Sequence, residues 1–161
     1  MTSNAELVAD STAYVAQVRV RRVGGPDKMV SLPGETDEVK IGSHPDLAPH
    51  IGADPTVAPS ASSLDYVIGA AAACLAGTFA RTLAARGVTV PLEDHHVEAE
   101  GIMRPHRQVL VIERIEVTHH LRLAPEHHDE ARRVLDFYHR ACPVSQSIGA
   151  AVEIVHELRL S

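Results

Sequence analysis

The residues of this chain best suited to covalent chemistry are its two cysteines, Cys74 and Cys142, 68 positions apart. Cys74 lies in the alanine-rich run Ala70-Ala71-Ala72-Ala73-Cys74-Leu75-Ala76-Gly77, and Cys142 immediately precedes Pro143-Val144-Ser145-Gln146-Ser147. Two cysteines are too few for the disulfide framework of a small secreted domain, and their spacing matches neither a zinc knuckle nor a CxxC motif. Two readings remain open: a pair of inert core thiols, since free cysteine behaves as a small buried hydrophobe, or one redox couple. Redox work needs a thiolate, and a helix N-terminus or a nearby cation lowers the thiol pKa from about 8.5. Cys142 precedes a short helix that starts after Pro143. Cys74 sits in the middle of its own helix, far from either dipole end, so an activating arginine has to come from elsewhere in the fold.

Histidine is the other abundant reactive type, with 11 copies that include the doublets His95-His96, His119-His120 and His127-His128. Neighbouring side chains point to opposite faces of a strand and diverge by about 100° on a helix, so a doublet is not a ready chelate. No HxxxH or HExxH spacing falls on an expected helix, and no metal site is assigned. A Ser-His-Asp hydrolase lacks its nucleophile elbow of the GxSxG type. Asp37-Glu38 and the mixed charges of Glu126 to Arg133 read as solvated faces.

The elements that must position the thiols follow from periodicity. The 161 residues suit one domain of ordinary size, and 45% apolar residues supply its core. With 3% aromatic residues and a net charge of -6, the chain offers neither stacking platforms nor a basic surface for nucleic acid. The N-terminus lacks the basic and apolar regions of a secretory signal, which points to the cytoplasm. The longest uncharged stretch, Tyr66 to Ala80, is shorter than the roughly 20 apolar residues of a membrane span and reads as a buried helix.

Residues 1–12 are expected to be flexible and 13–161 to form a single domain. Ala13 to Val23 reads as a half-buried strand with Val18 and Val20 turned inward, and Gly24-Gly25-Pro26-Asp27-Lys28 turns it into a partner at Met29-Val30-Ser31-Leu32. A long loop punctuated by Pro33, Pro45, Pro49, Pro55 and Pro59 follows, with a short strand near Glu38 to Ile41. Ser62 or Ser63 caps a helix of about 22 residues that Gly87 ends; its middle is apolar nearly all round, as in a helix buried on several sides. Val97 to Met103 and Val109 to Leu123 form a long hairpin joined by Arg104-Pro105-His106-Arg107. The second strand places Val109, Val111, Glu113, Ile115, Val117, His119, Leu121 and Leu123 on one face. Pro125 opens a helix to Arg140 with Ala131, Val134, Leu135 and Tyr138 as its buried stripe. A short helix over Ser145 to Ala150 and a closing strand with Val152, Ile154, His156, Leu158 and Leu160 inward complete an α+β pattern with antiparallel pairing.

This order, with Ser63-Leu64-Asp65-Tyr66-Val67-Ile68-Gly69-Ala70-Ala71-Ala72-Ala73-Cys74-Leu75-Ala76 followed some 70 residues later by Ala141-Cys142-Pro143-Val144-Ser145, resembles the OsmC/Ohr family of osmotically inducible and organic hydroperoxide resistance proteins. The likeness runs from about Tyr14 to Leu160. It implies an intertwined homodimer in which an antiparallel curved sheet wraps long central helices, with active sites at the subunit interface. It also implies a thiol-dependent peroxide reductase acting on organic hydroperoxides, with Cys74 as peroxidatic and Cys142 as resolving cysteine, no cofactor, and a dithiol reductant of lipoyl type. Characterised peroxidases of the family carry Glu ten positions before the first cysteine, where this chain has Leu64 beside Asp65. They also carry Arg in the first turn, where this chain has Pro26. Arg22 and Asp65 are the candidate activating residues in their place. The alternative is a non-enzymatic protein of the same fold that binds a small lipid-like ligand or senses redox state.

Overall fold

The computed structural model describes residues 13–54, 56 and 58–161, and the expectation for residues 1–12 falls outside them. The chain forms two units, one built from residues up to Pro49 together with Ala53–Ala61, the other from His50–Gly52 and Ser62–Ser161.

The first unit holds β1 (Arg19–Gly24), β2 (Asp27–Ser31) and β3 (Val39–Ile41), an antiparallel sheet in that order. Gly24 and Gly25 take φ of 151° and 50°, a backbone that residues with a side chain rarely adopt, and so turn β1 into β2. β1 is exposed throughout, and Val18 and Val20 are 52% and 57% exposed, which overturns the expectation of a half-buried strand. It is an edge strand paired only to β2, so the alternation of its residues finds no layer in its own unit to pack against. The proline-rich stretch carries β3, as expected, and the one-turn helix α1 (Ala48–Ile51).

The second unit is built on α2 (Ser63–Ala85). Ser62 caps it: its hydroxyl accepts from Asp65 N at 3.3 Å, and the Asp65 carboxylate accepts from Ser62 N at 2.6 Å, a reciprocal capping box. Gly87, with φ 81°, ends the helix while Gly87 N and Val88 N bond back to Ala84 O and Leu83 O. Ala71, Leu75, Phe79 and Leu83 form one sealed face, where each large side chain contributes about 1.5–3 kcal/mol by burial. The helix is not buried all round. Gly69, Ala70, Ala73 and Gly77 are exposed, and Tyr66 and Val67 are 40% and 41% exposed, because the unit supplies a single layer for α2 to pack against. By length and composition alone α2 could cross a membrane, but its Leu75–Phe79–Leu83 face lies in the protein core with Ile115, Val117 and Leu121.

That layer is the sheet of β4 (His95–His106), β5 (Val109–Leu121) and β6 (Glu153–Leu160). β4 and β5 pair antiparallel through a turn at Arg107-Gln108, and a bulge leaves Glu113 unpaired between Ile102↔Arg114 and Met103↔Ile112. The bulge shifts the alternation by one residue. Ile115, Val117, His119 and Leu121 face the core as expected, but Val109, Val111 and Glu113 do not; Ile112 is buried in their place. β6 joins β5 in parallel, so among the described residues β1–β2, β2–β3 and β4–β5 are the antiparallel pairs. Gly101 of β4 lets α2 approach closely, since a Cβ there would stand 2.1 Å from Ile68 Cδ1.

Between β5 and β6 the expected single helix is broken into a 3-10 turn at Pro125–His127, α3 (His128–Leu135) and a second 3-10 turn at Tyr138–Ala141. Ala131, Val134 and Tyr138 are nonetheless fully buried, as the stripe predicts. The short helix α4 (Pro143–Ile148) follows directly.

Candidate active site

Two independent parts of the second unit bring the cysteines together. α2 carries Cys74 near its middle, partly buried against the core, while the 3-10 turn and Pro143 set Cys142 as the N-cap of α4. Pro143 has no N–H to satisfy and suits the first helical position. The Cys142 sulfur accepts from Ser145 N at 3.4 Å and Cys142 O accepts from Gln146 N at 2.9 Å, so the thiol is fixed by its own helix. Both cysteines are free thiols, and Cys74 and Thr78 are near enough to the Cys142 thiol to influence its ionisation. Thr78, one helical turn after Cys74, also donates to Cys74 O at 2.8 Å.

The two sulfurs differ in environment. Cys142 is 0% exposed, whereas Cys74 is partly open. Burial pushes the Cys142 thiol above its ordinary pKa; the Ser145 N–H pulls it down, the adjoining Cys74 raises it again, and Thr78 lowers it. Oxidation by two electrons can join this pair without bringing in a residue from elsewhere. Thr78 escaped the sequence reading, although its i+4 spacing from Cys74 marks it as a helical neighbour.

Behind Cys142 runs a buried polar seam. His95 Nε2 lies 3.1 Å from His119 Nδ1, His119 Nε2 lies 2.8 Å from the Tyr138 hydroxyl, and that hydroxyl lies 2.8 Å from His156 Nδ1. His139 stacks on His156 with centroids 5.1 Å apart. Desolvation, reinforced by neighbouring imidazoles, pushes His119 down to about 3 and His156 down to about 4. Burial raises the Tyr138 phenol, with Cys142 adding to the effect. All the linked groups are therefore neutral near pH 7. A neutral chain of this kind is satisfied with its N–H and O–H bonds pointing in either direction. The sequence reading turned His119 and His156 inward; it did not supply Tyr138 as the hydroxyl between them.

The two candidate activating residues belong to different units. Arg22 is on β1 of the first unit, opposite Lys28 in the ladder. Asp65 is held in the α2 capping box. Nine residues from Cys74, it faces the opposite side of the helix and lies about 13 Å away along the axis. Leu64, at the position where the family pattern has Glu, packs against the core.

On that opposite side a groove of about 720 Å³ opens between Gly69, Ala72 and Ala76 of α2 and Val97, Ala99 and Met103 of β4. Its walls are small and apolar, with Asp65 and Glu100 as the charged groups.

The comparisons with known proteins agree with this architecture. The family model described as OsmC-like protein matches residues 56–157, which include both cysteines. Among solved structures, the organic hydroperoxide resistance protein OhrB of Bacillus subtilis is 16% identical with a TM-score of 0.66, over 92% of this chain and 100% of that one. An OsmC-like protein of unknown function from Vibrio cholerae is 12% identical with a TM-score of 0.72, over 90% and 99%. An organic hydroperoxide resistance protein OsmC from Legionella pneumophila is 14% identical with a TM-score of 0.68, over 92% and 99%. No curated protein matches the chain significantly. The fold is thus shared at low identity, and the chain belongs to the OsmC-like protein family.

Proposed function

We propose that the chain has a redox role in peroxide resistance, as a thiol-dependent peroxide reductase acting on organic hydroperoxides. The observation that carries this reading is the proximity of the two cysteines of the sequence, 68 residues apart, with Cys142 in the core cluster and Cys74 packed against it. Their unequal burial supports the assignment of roles. Cys74, partly open, attacks the distal oxygen of the hydroperoxide as thiolate; the O–O bond breaks, the alcohol leaves with a proton, and Cys74 becomes a sulfenic acid. Cys142, kept protonated in the core until then, gives up its proton and attacks the Cys74 sulfur, releasing water and forming the disulfide. An external dithiol, of lipoyl type by the family resemblance, restores both thiols by exchange.

The exposed small-residue face of α2, with Val67, Ala70 and Gly77 beside Cys74, is the surface a second copy covers in a homodimer. Arg22 and Asp65 remain candidates to activate Cys74. The protein is assigned to the cytoplasm, with no cofactor. A second reading rests on the apolar groove on the far side of α2: a non-enzymatic member of the fold that holds a small lipid-like ligand there.

The test is the thiol titre and intact mass of reduced protein before and after one equivalent of cumene hydroperoxide. A two-cysteine cycle consumes both thiols and removes about 2 Da; Cys74→Ser abolishes the reaction and Cys142→Ser leaves an adduct of about 16 Da. Thiols that stay inert reject catalysis, and a co-purified ligand seen by native mass spectrometry then favours the binding protein.

A further inference from the structure

The histidine doublets of β4 and β5 are in register. His96 pairs directly with His120, and Val97 with His119. Each strand therefore sends one histidine to each face of the sheet: His95 and His119 inward to the polar seam, His96 and His120 outward. A single doublet makes no chelate, but two doublets facing each other across an antiparallel ladder place two imidazoles side by side. Their rings are 4.4 Å apart and within 6° of parallel.

A third ligand stands next to them. Glu98 is two residues beyond His96 on the same strand face, and its Oε2 lies 3.0 Å from His120 Nε2. One donor atom from each of His96, Glu98 and His120 lies within 4.8 Å of the others. Zinc–nitrogen and zinc–oxygen bonds of about 2.0–2.2 Å in a tetrahedral arrangement set donor atoms roughly 3.3 Å apart, so shifts of about an ångström close the set around one ion.

We propose that His96, Glu98 and His120 form a surface site for one divalent transition-metal ion of the zinc, nickel or copper class. Two imidazole nitrogens and one carboxylate select these borderline ions over calcium and magnesium, which prefer all-oxygen shells. The neighbouring groups permit a cation. Arg122 is engaged by Asp94 and Arg159 lies 3.8 Å from Glu157, while Glu100, Glu116 and Glu153 follow along the same face. A hollow of about 290 Å³ bordered by His96, His120 and Arg159 leaves room for water at the remaining coordination position. The ion takes the place of the proton shared between His120 and Glu98 and ties β4 to β5. This site is independent of the thiol chemistry, being on the face of the sheet away from the core that holds Cys142.

Isothermal titration of Zn²⁺ into the full chain carrying Cys74→Ser and Cys142→Ser tests the site with thiolate ligands removed. One ion per chain is expected. His96→Ala or His120→Ala in that background weakens binding by at least about tenfold, Glu98→Gln weakens it less, and His127→Ala/His128→Ala leaves it unchanged. Circular dichroism confirms that each exposed-site variant is folded. The proposal is overturned if the double cysteine variant binds no zinc, or if binding survives His96→Ala and His120→Ala together.

Discussion

The two faces of the β4–β5 ladder carry the same residue type at adjacent positions and put it to opposite uses. On the inner face His95 and His119 stand against Phe79, with His119 completely buried and linked to Tyr138 and His156. On the outer face His96 and His120 stack in partial contact with water beside Glu98. The inner imidazoles are held neutral because burial removes the hydration that a charge requires; on the outer face the neighbour is the Glu98 carboxylate. Solvent access, decided by the side of the sheet, sets what each histidine can do.

The largest expected effect that separates the faces is in acid. With folded-state values of about 3 for His119 and about 4 for His156, against an ordinary 6.5, the unfolded chain binds more protons than the folded one through this window. Stability therefore falls as pH drops below about 6.5, by up to about 1.4 kcal/mol per pH unit for each of the two histidines, until pH approaches 4 and then 3. Urea unfolding from pH 7 to 4.5 is expected to show this slope, and His120→Gln to leave it intact. A slope that vanishes with the outer substitution, or is absent altogether, breaks the comparison.

Next in size is Tyr138→Phe. Removing one hydroxyl leaves a buried ring nitrogen on His119 and a partly buried one on His156 without their partner, and is expected to cost about 2–3 kcal/mol. Chemical denaturation at pH 7 measures it. A loss below about 1 kcal/mol would mean that the seam contributes little to the fold.

The smallest effect sharpens the contrast from the other side. His120→Ala removes an exposed ring and its contact with Glu98, and is expected to change stability by less than about 0.5–1 kcal/mol in the absence of metal. Thermal melts of the two variants side by side show whether inner and outer positions differ as burial requires.

The elements around the site were largely legible in the chain. Ser62 with Asp65 three residues on, the apolar repeat of Leu75, Phe79 and Leu83, and Gly87 marked α2 nearly to its ends. Gly24-Gly25-Pro26 located the first turn. The misreadings share a cause: a local pattern does not contain the neighbour that interrupts or completes it. The bulge at Glu113 reversed which side of β5 the residues before it occupy, and β1 has the alternation of a buried strand without a layer above it. The exposed flank of α2, with Gly69, Ala70, Ala73 and Gly77, is uncharged like the sealed one, so apolarity alone did not mark it as uncovered.

The sequence by itself determined the local elements, an alanine-rich helix capped at Ser62 and a turn at Cys142-Pro143 that opens a short helix, because periodicity and capping act within a few residues. It could also turn His119 and His156 inward by strand alternation. Only the tertiary structure decided that Cys74 and Cys142 share one side of the core near Thr78, that Tyr138 bridges the His119 and His156 imidazoles, and that doublets useless on one strand pair across two. Those contacts join residues far apart in the chain, and their geometry is fixed by register and by the approach of α2 to the sheet.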